Sequence, residues 1–361
     1  MIDGWLDPAP FLRGVAWRDG RRAVRADPAD LDRLPWDIVE RCAVPVGVRL
    51  EFTARGATAV DLRYRAALPG PADALRDLAH TFALWHDGAL VSEVTEDPAR
   101  ETVVRIGLPD GPGRFTVHPP ESQCPEILGL RPVGGPISPA PPQPRWLVYG
   151  DSITEGWWST RPAHAWPAVA GRTLGLDAVN LGQAGAGRGE LAVAQQLAGL
   201  PGDLLTLAFG TNCWSRTPFS APLLYETVRA FITLVRRGHP DTPMLVLSPV
   251  LRPEAERTPN ALGATLAALR TALEEAVLAG IAAGDDRLAL LPGLGILTPE
   301  HLTDGLHPND AGHALMADAV AAALREARFV TPSRRGALNG QEGLSPAAPA
   351  ASSRRPAGSG P

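Results

Sequence analysis

Three apolar stretches, residues 146–149, 204–209 (broken only by Thr206) and 244–247, constrain this chain more than any other feature of it. A strand with no polar alternation has no face to give to water, so it is buried on both sides. Sheets buried on both sides are mostly parallel, with helices covering each face. Between and after these stretches, apolar residues recur with helical spacing over residues 223–237, 262–279 and about 312–328. Strand and helix in alternation predict an α/β fold with right-handed crossovers over residues 145–329. Ligands of open α/β sheets bind beyond the carboxyl ends of the strands, and that is where chemistry is expected.

The first ~130 residues follow a different period. Residues 48–53 and 60–65 alternate apolar and polar, and Gly56, Ala57 and Thr58 between them read as a hairpin loop. Residues 82–85 run toward Asp87-Gly88, a strong turn signal, and an extended run resumes at 89–91. A second such pair, Asp110-Gly111, separates residues 102–106 from 114–117. Short strands with frequent turns predict a β-sandwich, jelly-roll-like, over residues 1–135. Residues 136–144 are rich in proline and read as a linker without a regular element. Residues 330–361 are dominated by Pro, Ala, Gly, Ser and Arg. Such a segment cannot bury enough surface to offset its ordering entropy, so it is expected to be disordered.

Composition narrows the function classes. A chain of 361 residues has room for both units, because single cores stop growing near ~250–300 residues. A net charge of −5 argues against a nucleic-acid partner, which would call for a basic face. Every cationic side chain is arginine and lysine is absent, which marks no site. Cys42, Cys124 and Cys213 are odd in number and widely spaced, so neither a disulfide framework nor a structural metal is indicated. The first residues lack a basic segment followed by an apolar one, and no apolar run reaches the ~18 residues of a membrane span. A cytoplasmic location without a membrane span is expected.

Four short segments carry the chemistry of acyl transfer. Ser152, just past the strand ending near residue 149, offers a hydroxyl that needs a base to become a nucleophile. His307 is that base and Asp304, three residues earlier, the carboxylate that orients it and stabilises the imidazolium. The Ser152 and Gly185 backbone N–H groups and the Asn212 amide supply an oxyanion hole for the tetrahedral intermediate. Each segment has an ordinary reading when taken alone. Gly-Asp-Ser is more often a turn or helix cap, Gly185 one of several loop glycines, and Asp304–His307 a cap with an exposed histidine. All four together point to ester hydrolysis. A metal set of His307, His313, Asp304 and Asp310 has no usual ligand spacing. The glycines at 182, 185 and 187 do not form a clean dinucleotide fingerprint. Trp157, Trp158 and Trp214 follow the serine and asparagine segments and are candidates to contact substrate, while core packing is the commoner fate of an indole.

On these four segments, residues 145–329 resemble the SGNH, or GDSL, hydrolase family. The resemblance implies Ser152 as nucleophile, Asp304 and His307 as its partners, and Ser152, Gly185 and Asn212 as oxyanion donors. It further implies a flavodoxin-like three-layer α/β/α fold with no metal or organic cofactor. It implies a small-molecule ester as substrate: an acyl lipid, an acetylated sugar, a small ester or a thioester. Many members continue Gly-Thr-Asn with Asp, whereas this chain has Cys213, which alters local support for the loop rather than the asparagine. Sandwich domains precede some members acting on carbohydrate esters. Acyl transfer to another alcohol, or a carbohydrate-binding protein on a silent hydrolase scaffold, are the alternatives left open.

Overall fold

The computed structural model describes residues 4–66, 81–96 and 101–330; the remainder of the tail read as disordered, residues 331–361, lies outside the described residues. In chain order the strands are β1 (Leu12–Arg13), β2 (Trp17–Asp19), β3 (Arg22–Val24), β4 (Arg49–Ala54), β5 (Ala59–Arg65), β6 (Thr81–His86), β7 (Ala89–Thr95) and β8 (Thr102–Gly107). They continue with β9 (Phe115–His118), β10 (Glu126–Val133), β11 (Ile137–Pro139), β12 (Arg145–Gly150), β13 (Asp177–Gly182), β14 (Leu204–Ala208), β15 (Met244–Leu247) and β16 (Leu288–Leu291). The helices are α1 (Trp36–Cys42), α2 (Ser152–Glu155), α3 (Trp166–Leu174), α4 (Leu191–Gly199), α5 (Ala221–Arg236), α6 (Leu266–Ala282) and α7 (Asp310–Glu326). None of the described helices is long and apolar enough to cross a membrane.

The three apolar stretches become β12, β14 and β15 of a five-stranded, wholly parallel sheet in the order β13-β12-β14-β15-β16. Counted within the sheet this is the order 2-1-3-4-5 of flavodoxin-like folds, with the switch point beside its first strand. Successive side chains of β12 serve opposite cores, as the two-residue strand period requires. Leu147 and Tyr149 pack with α4, α5 and α6 through Leu197, Phe231 and Leu273. Trp146 and Val148 pack with α3 and α7 through Trp166, Ala170, Met316 and Val320. Three layers result, and β12 delivers its carboxyl end, followed at once by Ser152, to the switch point.

Apart from β2 and β3, which pair as a separate two-stranded ribbon, the amino-terminal strands form two antiparallel sheets, β1-β4-β9-β6-β7 and β10-β5-β8, packed over a common core. Phe52, Phe82, Leu84 and Phe115 of one face Leu62, Tyr64, Val104 and Ile106 of the other. The Asp87-Gly88 turn joins β6 to β7 as expected, with φ of 48° and 90° at its two residues. The loop at Gly56, Ala57 and Thr58 does not make a hairpin. β4 pairs with β1, β9 and β11, whereas β5 pairs with β10 and β8, so the loop carries the chain between layers. Alternation sorts side chains by face and is silent on which strand lies alongside; in β4 the polar face, with Arg49 and Glu51, is buried as well. The proline-rich stretch 136–144 likewise holds a regular element, since β11 pairs with the edge of β4, where a missing proline N–H costs no ladder bond. Residues 26–42, grouped by sequence with the amino-terminal unit, contribute Ala26, Leu34, Ile38 and Cys42 to the core of the parallel sheet.

Candidate active site

Gly150 ends β12 with no room for a side chain: a Cβ there would lie 2.3 Å from the Ala208 carbonyl oxygen. The chain turns through Asp151, whose carboxylate accepts the Ile153 N–H at 3.0 Å and so caps the four-residue α2. Burial pushes the Asp151 carboxyl up to about 7, against the pull of that bond. Ser152 is the first residue of α2 and is buried. Its hydroxyl lies 2.8 Å from Nε2 of His307, a residue 155 positions away. On the other side of the ring, Nδ1 lies 2.7 Å from Oδ2 of Asp304.

The loop carrying Asp304 and His307 is closed on itself. Leu302 bridges Pro308, the Thr303 N–H bonds to the His307 carbonyl, and Asn309 caps α7 directly afterwards. Oδ1 of Asp304 accepts the Leu306 and His307 backbone N–H groups at 3.0 and 2.8 Å. Burial opposes ionisation, but those donors and the imidazole outweigh it and hold the Asp304 carboxyl at about 2. The carboxylate is therefore ionised and aimed at the ring. Asp310 and His313, weighed in the sequence as metal ligands, take other partners. Asp310 receives the Thr160 N–H at 2.8 Å and His164 Nδ1 at 3.0 Å, and His313 bridges Trp166 N and the Trp157 carbonyl.

Gly185 has φ of 74°, and a Cβ on it would meet open space, so the position is set by backbone conformation and not by crowding. Among the described residues neither the Ser152 nor the Gly185 N–H has an acceptor. Asn212 sits in the turn after β14 and gives one amide hydrogen to the Ala186 carbonyl at 2.6 Å, tying its loop to that of Gly185. Its second amide hydrogen is left for another acceptor. Cys213, next in the chain, is fully buried in the core, where burial raises its thiol, and its sulfur approaches the Arg188 carbonyl at 3.7 Å.

Of the tryptophans, Trp157 and Trp158 reach His307 and Asp304. The Trp157 ring centroid is 5.8 Å from that of His307, and the half-exposed Trp158 donates its indole N–H to Oδ2 of Asp304 at 3.1 Å. Trp214 gives its N–H to the Thr258 carbonyl and lies under Arg252, contacts that belong to the 252–258 loop. Sequence reasoning missed Glu155. This fully buried carboxylate accepts from the Trp157 indole at 3.1 Å, from the Ala184 N–H at 2.9 Å, and from Arg25 and Arg41. Burial alone would raise its pKa; the two guanidiniums reverse the sign and hold it at about 2. Nothing in the local pattern marks it, because both arginines come from the amino-terminal segment. The only available signal was a glutamate in a stretch otherwise bound for the interior.

Residues 148–315 match the model of the GDSL-like Lipase/Acylhydrolase family. No curated protein matches the sequence. Among solved structures, the salicylyl-acyltransferase SsfX3 from a tetracycline biosynthetic pathway superposes with a TM-score of 0.76 at 24% identity, over 90% of this chain and 95% of that one. A protein of Bacteroides ovatus described as a GDSL-like lipase gives 0.75 at 21% identity, over 91% and 98%. A family two carbohydrate esterase from Clostridium thermocellum, solved with cellohexaose, gives 0.62 at 17%, over 79% and 94%. At these identities the likeness is one of fold, and it takes in the sandwich as well as the parallel sheet.

Proposed function

Residues 148–315 are a GDSL-like lipase/acylhydrolase domain, and from that premise we propose that the protein is a serine esterase that cleaves a carboxylic ester through an acyl-enzyme on Ser152. The observation that carries the reading is the continuous relay of 2.8 Å and 2.7 Å contacts from Ser152 through His307 to Asp304. His307 Nε2 takes the serine proton as Oγ bonds to the carbonyl carbon, and ionised Asp304 stabilises the imidazolium. The carbonyl oxygen becomes an oxyanion received by the Ser152 and Gly185 N–H groups and the Asn212 amide. Collapse expels the alcohol with the proton from His307. Water then adds to the acyl-enzyme by the same path, releasing the acid and restoring the serine.

For substrate we propose a short acyl ester of a carbohydrate, an acetylated sugar in the first instance. The half-exposed Trp158 indole at the rim of the triad offers a face for a sugar ring, and the Clostridium thermocellum esterase of the same fold was solved with a cello-oligosaccharide. A second reading, transfer of the acyl group to an acceptor alcohol, uses the same nucleophile and is favoured by the shared fold of the salicylyl-acyltransferase. One experiment tests the core of the proposal. Ser152→Ala is expected to fold normally yet lose about a thousandfold or more of nitrophenyl acetate hydrolysis and all labelling by a fluorophosphonate probe. Unchanged turnover would refute the assignment. Product analysis with an added acceptor alcohol separates hydrolysis from transfer.

A further inference from the structure

A crevice of about 640 Å³ opens between the sandwich and α3, beside the first residues of β13. Gly182 and Gly185 lie at the other end of that strand, roughly 17 Å away at the rise of an extended chain, so the crevice is distinct from the triad. Its walls carry four guanidiniums, Arg49, Arg114, Arg172 and Arg325, against two carboxylates, Glu51 and Asp87. Glu51 is already shared by Arg49 and Arg114, and Arg49 also binds Asp177 at 2.9 Å.

Arg172 has no such partner. It makes no hydrogen bond or ion pair among the described residues, and its Nη1 is buried. Its guanidinium lies 4.3 Å from the centroid of the Trp85 ring. Burial, reinforced by the neighbouring Arg49 charge, draws its pKa down to about 10, so it remains a cation at neutral pH. Beside it His118 is buried, with both ring nitrogens unpartnered among the described residues. Burial and the Arg172 charge hold the ring well below the usual histidine range, so it is neutral and carries one free N–H donor. Buried polar groups in native proteins are nearly always paired, and a guanidinium and an imidazole left unpaired side by side call for an acceptor.

We propose that this crevice binds a small anionic molecule whose carboxylate or phosphate group is received by the Arg172 guanidinium and the His118 N–H. A guanidinium fork meets two oxygens of either group at once, and the volume falls within the ~300–1,000 Å³ of small-molecule sites. Glucuronate and inorganic phosphate, titrated calorimetrically into the full chain at ionic strength held constant with chloride, are the probes. Saturable binding of one of them is expected, and which one binds identifies the anion class. Arg172→Gln should weaken that binding by about tenfold or more, with nitrophenyl acetate hydrolysis unchanged. His118→Leu, which keeps the buried bulk and removes the donor, should weaken it as well and serves if the first variant fails to fold. Absence of saturable binding of both probes to the wild type, or undiminished affinity in the folded variants, would overturn the proposal.

Discussion

Asn212 keeps one amide hydrogen engaged with Ala186 and has the other free, and that division decides what its removal should do. A donor that acts only on the oxyanion contributes to the transition state and not to the bound ester. Asn212→Ala is therefore expected to lower kcat about a hundredfold to a thousandfold with KM nearly unchanged, as steady-state kinetics on nitrophenyl acetate would report. A rise in KM at constant kcat would assign the side chain to ground-state binding instead. The departure at Cys213 bears on the same loop. Its support comes from the Cys213 N–H to Gly210 and Phe219 N–H to Cys213 backbone bonds and from Asn260, which reaches the carbonyls of Cys213 and Phe219. None of these needs a carboxylate at position 213.

At the scale of elements, the four residues of α2 join two halves of the site. Ser152 opens the helix and Glu155 closes it, so one turn of backbone holds the proposed nucleophile on one side and a buried ion cluster on the other. Through Trp157 and Ala184 that cluster reaches the His307 ring and the residue preceding Gly185. Under the proposed mechanism Glu155 is a positioning residue. Glu155→Gln keeps the shape but leaves Arg25 and Arg41 facing a neutral group, and is expected to cost about 3–5 kcal/mol of stability. It should also reduce kcat. The sign of the pH effect follows from the depressed pKa. Wild-type stability from this group is present above the ordinary glutamate range near pH 4.5 and is lost as pH falls toward about 2. Melting temperatures measured across that window should therefore fall less steeply in the variant. Identical slopes would mean that Glu155 is not held ionised by the arginines.

Across the whole molecule, the sandwich and the parallel sheet are joined through buried charge as well as apolar contact. Oδ1 of Asp177, at the start of β13, accepts from Arg49 Nη2 and from the Gly14 N–H, each at 2.9 Å. Arg49 belongs to β4 and also holds Glu51. Breaking such a buried pair leaves charge uncompensated, so Asp177→Ala is expected to cost about 3–5 kcal/mol. Scanning calorimetry should then resolve separate transitions for the two units in place of one. A single transition at unchanged temperature would show that apolar packing alone couples them.

Periodicity and spacing made much of this protein legible from its residues alone. Both fold classes, the strands β12, β14 and β15, and the residues that meet at Ser152 follow from local pattern, because burial on two faces and the needs of acyl chemistry leave marks within a few positions. β13 and β16 escaped notice, the first because Asp177 and Asn180 break up its apolar run; the second, Leu288–Leu291, is as long and as apolar as β15, and nothing in its length sets it apart. Strand partnership, the layer change at Gly56, the return of residues 26–42 to the parallel sheet and the arginine clamp on Glu155 were decided only by the tertiary structure. Each joins groups far apart in the chain, and a pairing made by folding has no counterpart in the order of its residues.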